Sequence, residues 1–145
     1  DFSTHDKGIF LQPGDCKASP EELVNNFKFF KQPLPEIIIG RIENTLTKKL
    51  PSRISFAHLD LDLYKSSLFA LENIFPKLSK GAVVIMDDFG NPAIPGAEKA
   101  FKSFSKKRQI RICSLYAGEY PILPGVRPGL RGEQILKKYQ AYFIR

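Results

Sequence analysis

Ile54-Ser55-Phe56-Ala57-His58-Leu59-Asp60-Leu61-Asp62 and, further on, Ala82-Val83-Val84-Ile85-Met86-Asp87-Asp88 share one pattern. Each is a short, mostly apolar run that stops abruptly at carboxylates. Runs of that length and composition read as strands buried in a sheet. Between them, Ser66 to Leu78 carries Leu68, Leu71, Phe75 and Leu78 at helical spacing, with Pro76 kinking the last turn. Ser79-Lys80-Gly81 then turns the chain back. The same alternation extends outward in both directions. Upstream, Ile37-Ile38-Ile39, ended by Gly40, predicts another buried strand. Before it, Ser19, Pro20 and Glu22 form the capping signal of a helix whose Leu23, Phe27 and Phe30 make a buried stripe, ended by Pro33 and Pro35. Asp1 to Cys16 reads as a loop. Downstream come an amphipathic helix from Ala97 to Lys107, a strand from Ile110 to Leu115, a long loop from Tyr116 to Gly132, and a short strand from Ala141 to Ile144. Strands buried on both faces and alternating with helices describe an α/β domain with a mainly parallel sheet.

Composition bounds the function. The chain has 145 residues, 43% of them apolar and 26% charged, which suits one globular domain and leaves no room for two. No apolar run approaches the ~18–20 residues that span a bilayer, and no secretory signal opens the chain. Cys16 and Cys113 lie far apart and form no CxxC or Cys/His cluster, which points to a reducing, cytoplasmic setting. A net charge of +7 would suit an acidic partner. Its densest part, Lys99, Lys102, Lys106, Lys107, Arg108 and Arg111, reads as the wet face of a helix with Phe101 and Phe104 inward. With no RNP-type aromatics and no zinc-finger spacing, neither a nucleic-acid nor a membrane partner is expected. The chain begins with Asp1 rather than Met.

The carboxylates carry the chemistry. Ligands of open α/β sheets bind beyond the carboxyl ends of the strands, where Asp60 and the pair Asp87-Asp88 both fall. Carboxylates so close together repel unless a cation or proton intervenes, and all-oxygen donors select Mg²⁺ first, then Mn²⁺ or Ca²⁺. A single Asp after a strand is more often a turn residue or helix cap, and Asp62 is open to either reading. His58, two residues before Asp60, points to the same side of its strand, as a packed histidine or a participant. A DxD glycosyltransferase motif leaves the second pair unexplained. Haloacid-dehalogenase spacing fails at Tyr64, and a receiver domain has the opposite order.

His58-Leu59-Asp60-Leu61-Asp62-Leu63-Tyr64-Lys65-Ser66-Ser67, Ala70-Leu71-Glu72-Asn73, Pro76-Lys77-Leu78 and the strand Gly81 to Phe89 resemble the macrocin O-methyltransferase family. Its members carry LD-x-DLY-x-ST, AL-x-NLYPKLS-x-GG and V-I-x-DDY segments. Asp6-Lys7-Gly8, Gly14-Asp15, Ala18-Ser19 and Glu21-Glu22 resemble the connector before the family's third strand. Gly40 with Glu43-Asn44-Thr45-Leu46 resembles the segment after that strand. The resemblance implies a Rossmann-like class I methyltransferase sheet, S-adenosylmethionine as cofactor, and O-methyltransfer to a sugar or other small-molecule hydroxyl. It implies a Mg²⁺ site from Asp60, Asp87 and Asp88, with Asp60 also the catalytic base. Gly40, Arg41 and Glu43 are the candidates for the adenine side of the cofactor.

Nothing in the chain matches the Gly-rich turn of the family's first strand. The expectation is therefore the C-terminal part of a single methyltransferase domain, residues 1–145, lacking the N-terminal strands of the family's order 3-2-1-4-5-7-6. The strand from Ile54 would then keep an unpaired edge, which invites a homo-oligomer. The loop from Tyr116 is expected to cover the acceptor, with Arg127 or Arg131 meeting the phosphate of a nucleotide sugar. The alternatives are a non-catalytic remnant and a metal-dependent glycosyltransferase.

Overall fold

The computed structural model describes residues 2–7, 17–91, 94–122 and 134–145. Its elements are α1 (Pro20–Phe29), α2 (Ile42–Lys49), β1 (Ile54–Leu59), α3 (Tyr64–Ile74), β2 (Leu78–Met86), α4 (Pro95–Arg108), β3 (Cys113–Ile122) and β4 (Gln134–Ile144). The four strands form one sheet in the order β1-β2-β4-β3. That order matches the 4-5-7-6 half of the expected sheet. β1 and β2 are parallel, whereas β4 runs antiparallel to both β2 and β3. The sheet is therefore mixed rather than mainly parallel.

β2 packs mainly one face. Along β2, Ala82, Val84 and Met86 are buried while Val83 and Ile85 are half-buried, the alternation of a strand covered on one side. Against the covered face lie Ala70, Leu71 and Ile74 of α3 and Ala97, Phe101 and Phe104 of α4. Phe143 of β4, opposite Val84 in register, completes the core. Its ring stacks against Phe101 and Phe104 at centroid distances of 5.6 and 6.3 Å. The basic run of α4 is its wet face, as its spacing predicts: Phe101 and Phe104 are buried, and Lys102, Lys106, Lys107 and Arg108 are exposed. On the opposite side of the sheet, Phe56 is 58% exposed.

Several expectations are corrected. Ile37-Ile38-Ile39 forms no strand, and Ile39 is 72% exposed. Among the described residues this segment pairs with no strand, and the outer edge of β1 stays unpaired. The stripe on α1 is not buried either: Leu23 and Phe30 are exposed, and no residue of the helix is buried. The α-helix after β1 stops at Ile74. Pro76 lacks the N–H for another turn, so Phe75–Lys77 is a 3-10 turn and Leu78 already belongs to β2. Ser79-Lys80-Gly81 is an irregularity inside β2, where pairing with β1 jumps from Ile54–Leu78 to Phe56–Val83. β3 and β4 are longer than expected and pair as a hairpin from Cys113–Tyr142 to Ile122–Gln134. Tyr116 to Ile122 is thus strand rather than loop, while Arg127 and Arg131 lie outside the described residues. No described helix is long and apolar enough to cross a membrane.

The aromatic core makes a direct prediction. Phe143→Ala should cost ~3–5 kcal/mol of stability, whereas Phe56→Ala on the uncovered face should cost below ~1 kcal/mol. Urea midpoints measure both, and equal losses would contradict the one-sided core.

Candidate active site

Parallel pairing brings the acidic ends together. Leu59 is in register with Met86, and the ladder continues one step further, with the Asp87 N–H donating to the Leu59 carbonyl at 2.9 Å. Asp60 and Asp87-Asp88 therefore leave the sheet side by side. After Asp60 the chain reverses in a three-residue turn, in which the Leu63 N–H donates to the Leu61 carbonyl and Asp62 adopts φ 56°. A left-handed backbone at a non-glycine residue costs on the order of 1 kcal/mol and persists only where its surroundings hold it. One of those holds is Asp88, whose Oδ2 accepts from the Asp62 N–H at 3.3 Å. Asp62 does not cap α3, whose N-cap residue, Leu63, supplies no side-chain cap.

The carboxylates that converge are Asp60, Asp62 and Asp88, each offering an oxygen within 4.8 Å of the others. Asp60 is exposed, Asp62 half-buried and Asp88 buried. Burial, then the charges of Asp62 and Asp60, push the Asp88 carboxyl up to about 7, against the pull of the Asp62 amide. Burial and the charges of Asp60 and Asp87 raise Asp62 as well. Asp87 differs from the expected ligand set. Its carboxylate accepts from Gln140 Nε2 of β4, and its Oδ1 lies 3.4 Å from His58 Nε2. His58 thus faces Asp87 rather than standing alone on its strand.

Gly40, Arg41 and Glu43 lie together before and at the start of α2. Gly40 has φ 142°, and a β-carbon there would sit 2.8 Å from Thr45 Cγ2, so glycine is required. Arg41 Nε is 3.6 Å from Glu43 Oε2, and Glu43 Oε1 accepts from Ser66 Oγ at 3.1 Å. Glu43 is lowered by its own backbone amide, against burial and with help from Ser66 and Arg41. The Ser66 bond ties this segment to the first turn of α3, just past the acidic turn.

The role of one residue at the site escapes the sequence reading. Asp6 is 2% exposed, and its Oδ1 accepts from the Tyr64 N–H at 2.9 Å, capping α3 from the far end of the chain. Its local signal is the Ser3-x-x-Asp6 capping spacing, which marks a helical turn but not its distant target.

The profile of the macrocin-O-methyltransferase (TylF) family matches residues 13–113, from before α1 to the start of β3. The chain belongs to this family. Over 50 residues it is 44% identical to a Streptomyces olivaceus protein, the 8-demethyl-8-(2,3-dimethoxy-alpha-L-rhamnosyl)-tetracenomycin-C 4'-O-methyltransferase, covering 34% of this chain and 19% of that one. Its fold resembles the O-methyltransferase NovP, with a TM-score of 0.60 and 22% identity over 88% of this chain and 45% of the other. It also resembles apo CalS11, a TDP-rhamnose 3'-O-methyltransferase of calicheamicin biosynthesis, with a TM-score of 0.51 and 28% identity. That match covers 74% of this chain and 40% of CalS11. The fold is that of the class I O-methyltransferases, and this family member spans less than half the length of each of these relatives.

The raised carboxyls fix a pH dependence for the metal-free protein. Asp88 binds its proton more tightly when folded, about 7 against an ordinary 3.8, so its contribution is present at low pH and is lost as pH rises through about 7. Asp62 acts in the same direction. In chelator, the urea midpoint should be higher at about pH 5 than at about pH 8, and Asp88→Asn should flatten the difference. A midpoint that rises with pH over that window would contradict the crowded-carboxylate geometry.

Proposed function

We propose that this chain forms the cation-binding and acceptor-activating edge of an S-adenosylmethionine-dependent O-methyltransferase acting on a hydroxyl of a sugar, a nucleotide sugar or a related small molecule. The observation that carries this reading is the convergence of Asp60, Asp62 and Asp88 beyond the ends of two parallel strands in a member of this family. The sugar-directed activities named for the Streptomyces olivaceus protein and for CalS11 support the acceptor class. The reaction is assigned to the cytoplasm, in keeping with the free Cys113.

The donors fit a hard cation. They are all oxygens, burial and their mutual charge push the Asp88 carboxyl up to about 7, and one of them stays open to solvent. Asp60 and Asp88 are assigned as ligands, with Asp62 the third in this geometry. Asp87 joins only if its carboxylate turns from Gln140 and His58. When bound, S-adenosylmethionine supplies the methyl group and Mg²⁺ supplies polarisation of the acceptor hydroxyl. Asp60, exposed at the rim, takes up the hydroxyl proton as the oxygen gains its methyl group. The buried Asp88 and the Asp62 turn hold the charge in place. Gly40, Arg41 and Glu43 are assigned to the adenine side of the cofactor, an assignment that rests on their position after Ile39 and their tie to α3 through Ser66.

Transfer of labelled methyl from S-adenosylmethionine to TDP-rhamnose and other sugar nucleotides tests this. Transfer should require Mg²⁺ and fall about a hundredfold or more in Asp60→Asn, which keeps shape but loses charge and base. Full activity in chelator would sink the cation, and an active Asp60→Asn would sink the base. Absence of transfer by the whole protein would sink the catalytic reading.

A further inference from the structure

The strained turn at Asp62 is held on both sides by carboxylates. Asp88 takes the Asp62 N–H at 3.3 Å, and Asp6 takes the Tyr64 N–H at 2.9 Å across a sequence separation of 58. Asp6 is itself tightly built in. Its Oδ2 accepts from the Ser3 N–H at 2.7 Å and from Ser3 Oγ at 2.6 Å. Burial works against its charge, but these bonds, the Tyr64 amide and His5 outweigh it and hold the carboxyl below its ordinary range. His5 stacks on the Tyr64 ring at 3.9 Å, and Lys99 Nζ donates to the His5 carbonyl at 2.6 Å.

Gly96 makes the room. A β-carbon at Gly96 would lie 1.8 Å from Asp6 Oδ1 and 2.7 Å from the Tyr64 nitrogen, so only glycine lets α4 approach this junction. Three segments distant in sequence thus meet at one carboxylate: the 3-10 turn Thr4–Asp6, the start of α3 and the start of α4. A buried charge on a helix's first amide both satisfies an orphan donor and meets the positive end of the helix dipole. Here that amide sits two residues beyond Asp62. Asp6 also lies outside the stretch matched by the family profile.

We propose that Asp6 is a positioning residue for the acidic cluster. By holding the Tyr64 amide it fixes the turn from Leu61 to Leu63, and so keeps the Asp62 carboxylate beside Asp60 and Asp88. The inference rests on the cation reading above, and Gly96 is part of the same device because it seats Asp6.

Calorimetric titration of the full chain with Mg²⁺ tests it, paired with hydrogen exchange at the Asp62 amide. Asp6→Ala and Gly96→Ala should bind Mg²⁺ about tenfold or more weakly, the usual effect of losing a group that orients a metal ligand. Asp6→Asn, whose Oδ1 still accepts from Tyr64, should stay within about threefold of wild type. If Asp6→Ala does not fold, Ser3→Ala, which loosens Asp6 by one side-chain bond, should still weaken Mg²⁺ about threefold. Folded Asp6→Ala, or Ser3→Ala in its place, binding Mg²⁺ as well as wild type overturns the proposal. If the wild-type chain itself binds no Mg²⁺, the cation reading fails on its own. The positioning claim is then decided by exchange, where a faster Asp62 amide in Asp6→Ala supports it and an unchanged one overturns it.

Discussion

Like-charge repulsion at one sheet edge sets the terms for the rest of this molecule. Asp60, Asp62 and Asp88 bring oxygens within 4.8 Å of one another. Two unit charges about 4 Å apart near a protein surface cost on the order of 4 kcal/mol. That is comparable with much of a small domain's whole stability of ~5–15 kcal/mol. A proton relieves such crowding, and burial together with the charges of Asp62 and Asp60 raises the Asp88 carboxyl accordingly. In the function proposed above, a cation would answer the same need.

What keeps the carboxylates in place is a rigid frame on one side of the sheet. The stacked rings of Phe101, Phe104 and Phe143 lock α4 to β4, with β2 beside them. α3 packs on α4 and starts at the acidic turn, so the same core that stabilises the domain also orients the site. The other side is different in character. The uncovered sheet face, the β1 edge and the apolar side chains of Phe29, Phe30 and Ile39 all face solvent among the described residues.

The parts of this arrangement that were legible in the sequence are those set by local pattern. Apolar runs ending in Asp60 and in Asp87-Asp88 marked both parallel strands and the end at which carboxylates gather. The inward spacing of Phe101 and Phe104 marked the face of α4. Where the sequence misled, a neighbour decided the outcome. Among the described residues, Ile37-Ile38-Ile39 has strand composition but no strand beside it, and Leu23, Phe27 and Phe30 have helical spacing on a helix none of whose residues is buried. α2 escaped notice because its eight residues are short and half-exposed. The acidic group was legible in the sequence, but the arrangement of its side chains was not. Which of Asp62 and Asp87 joins it depends on a left-handed turn and on Gln140, in β4, far from either in sequence. Asp6 could not be assigned from spacing, because its partner amide lies 58 residues away.

The central claim, that a cation belongs between the ends of β1 and β2, is open to a direct measurement. Substoichiometric Mn²⁺ added to isotopically labelled protein broadens the amide signals nearest the ion. The account predicts early loss of the signals of Asp60 to Tyr64 and of Asp87 to Phe89. Those of Gly81, Ala82 and Arg145, which hydrogen-bond one another at the other end of β2, should persist. Broadening that is uniform, or centred away from Asp60 and Asp88, would contradict it.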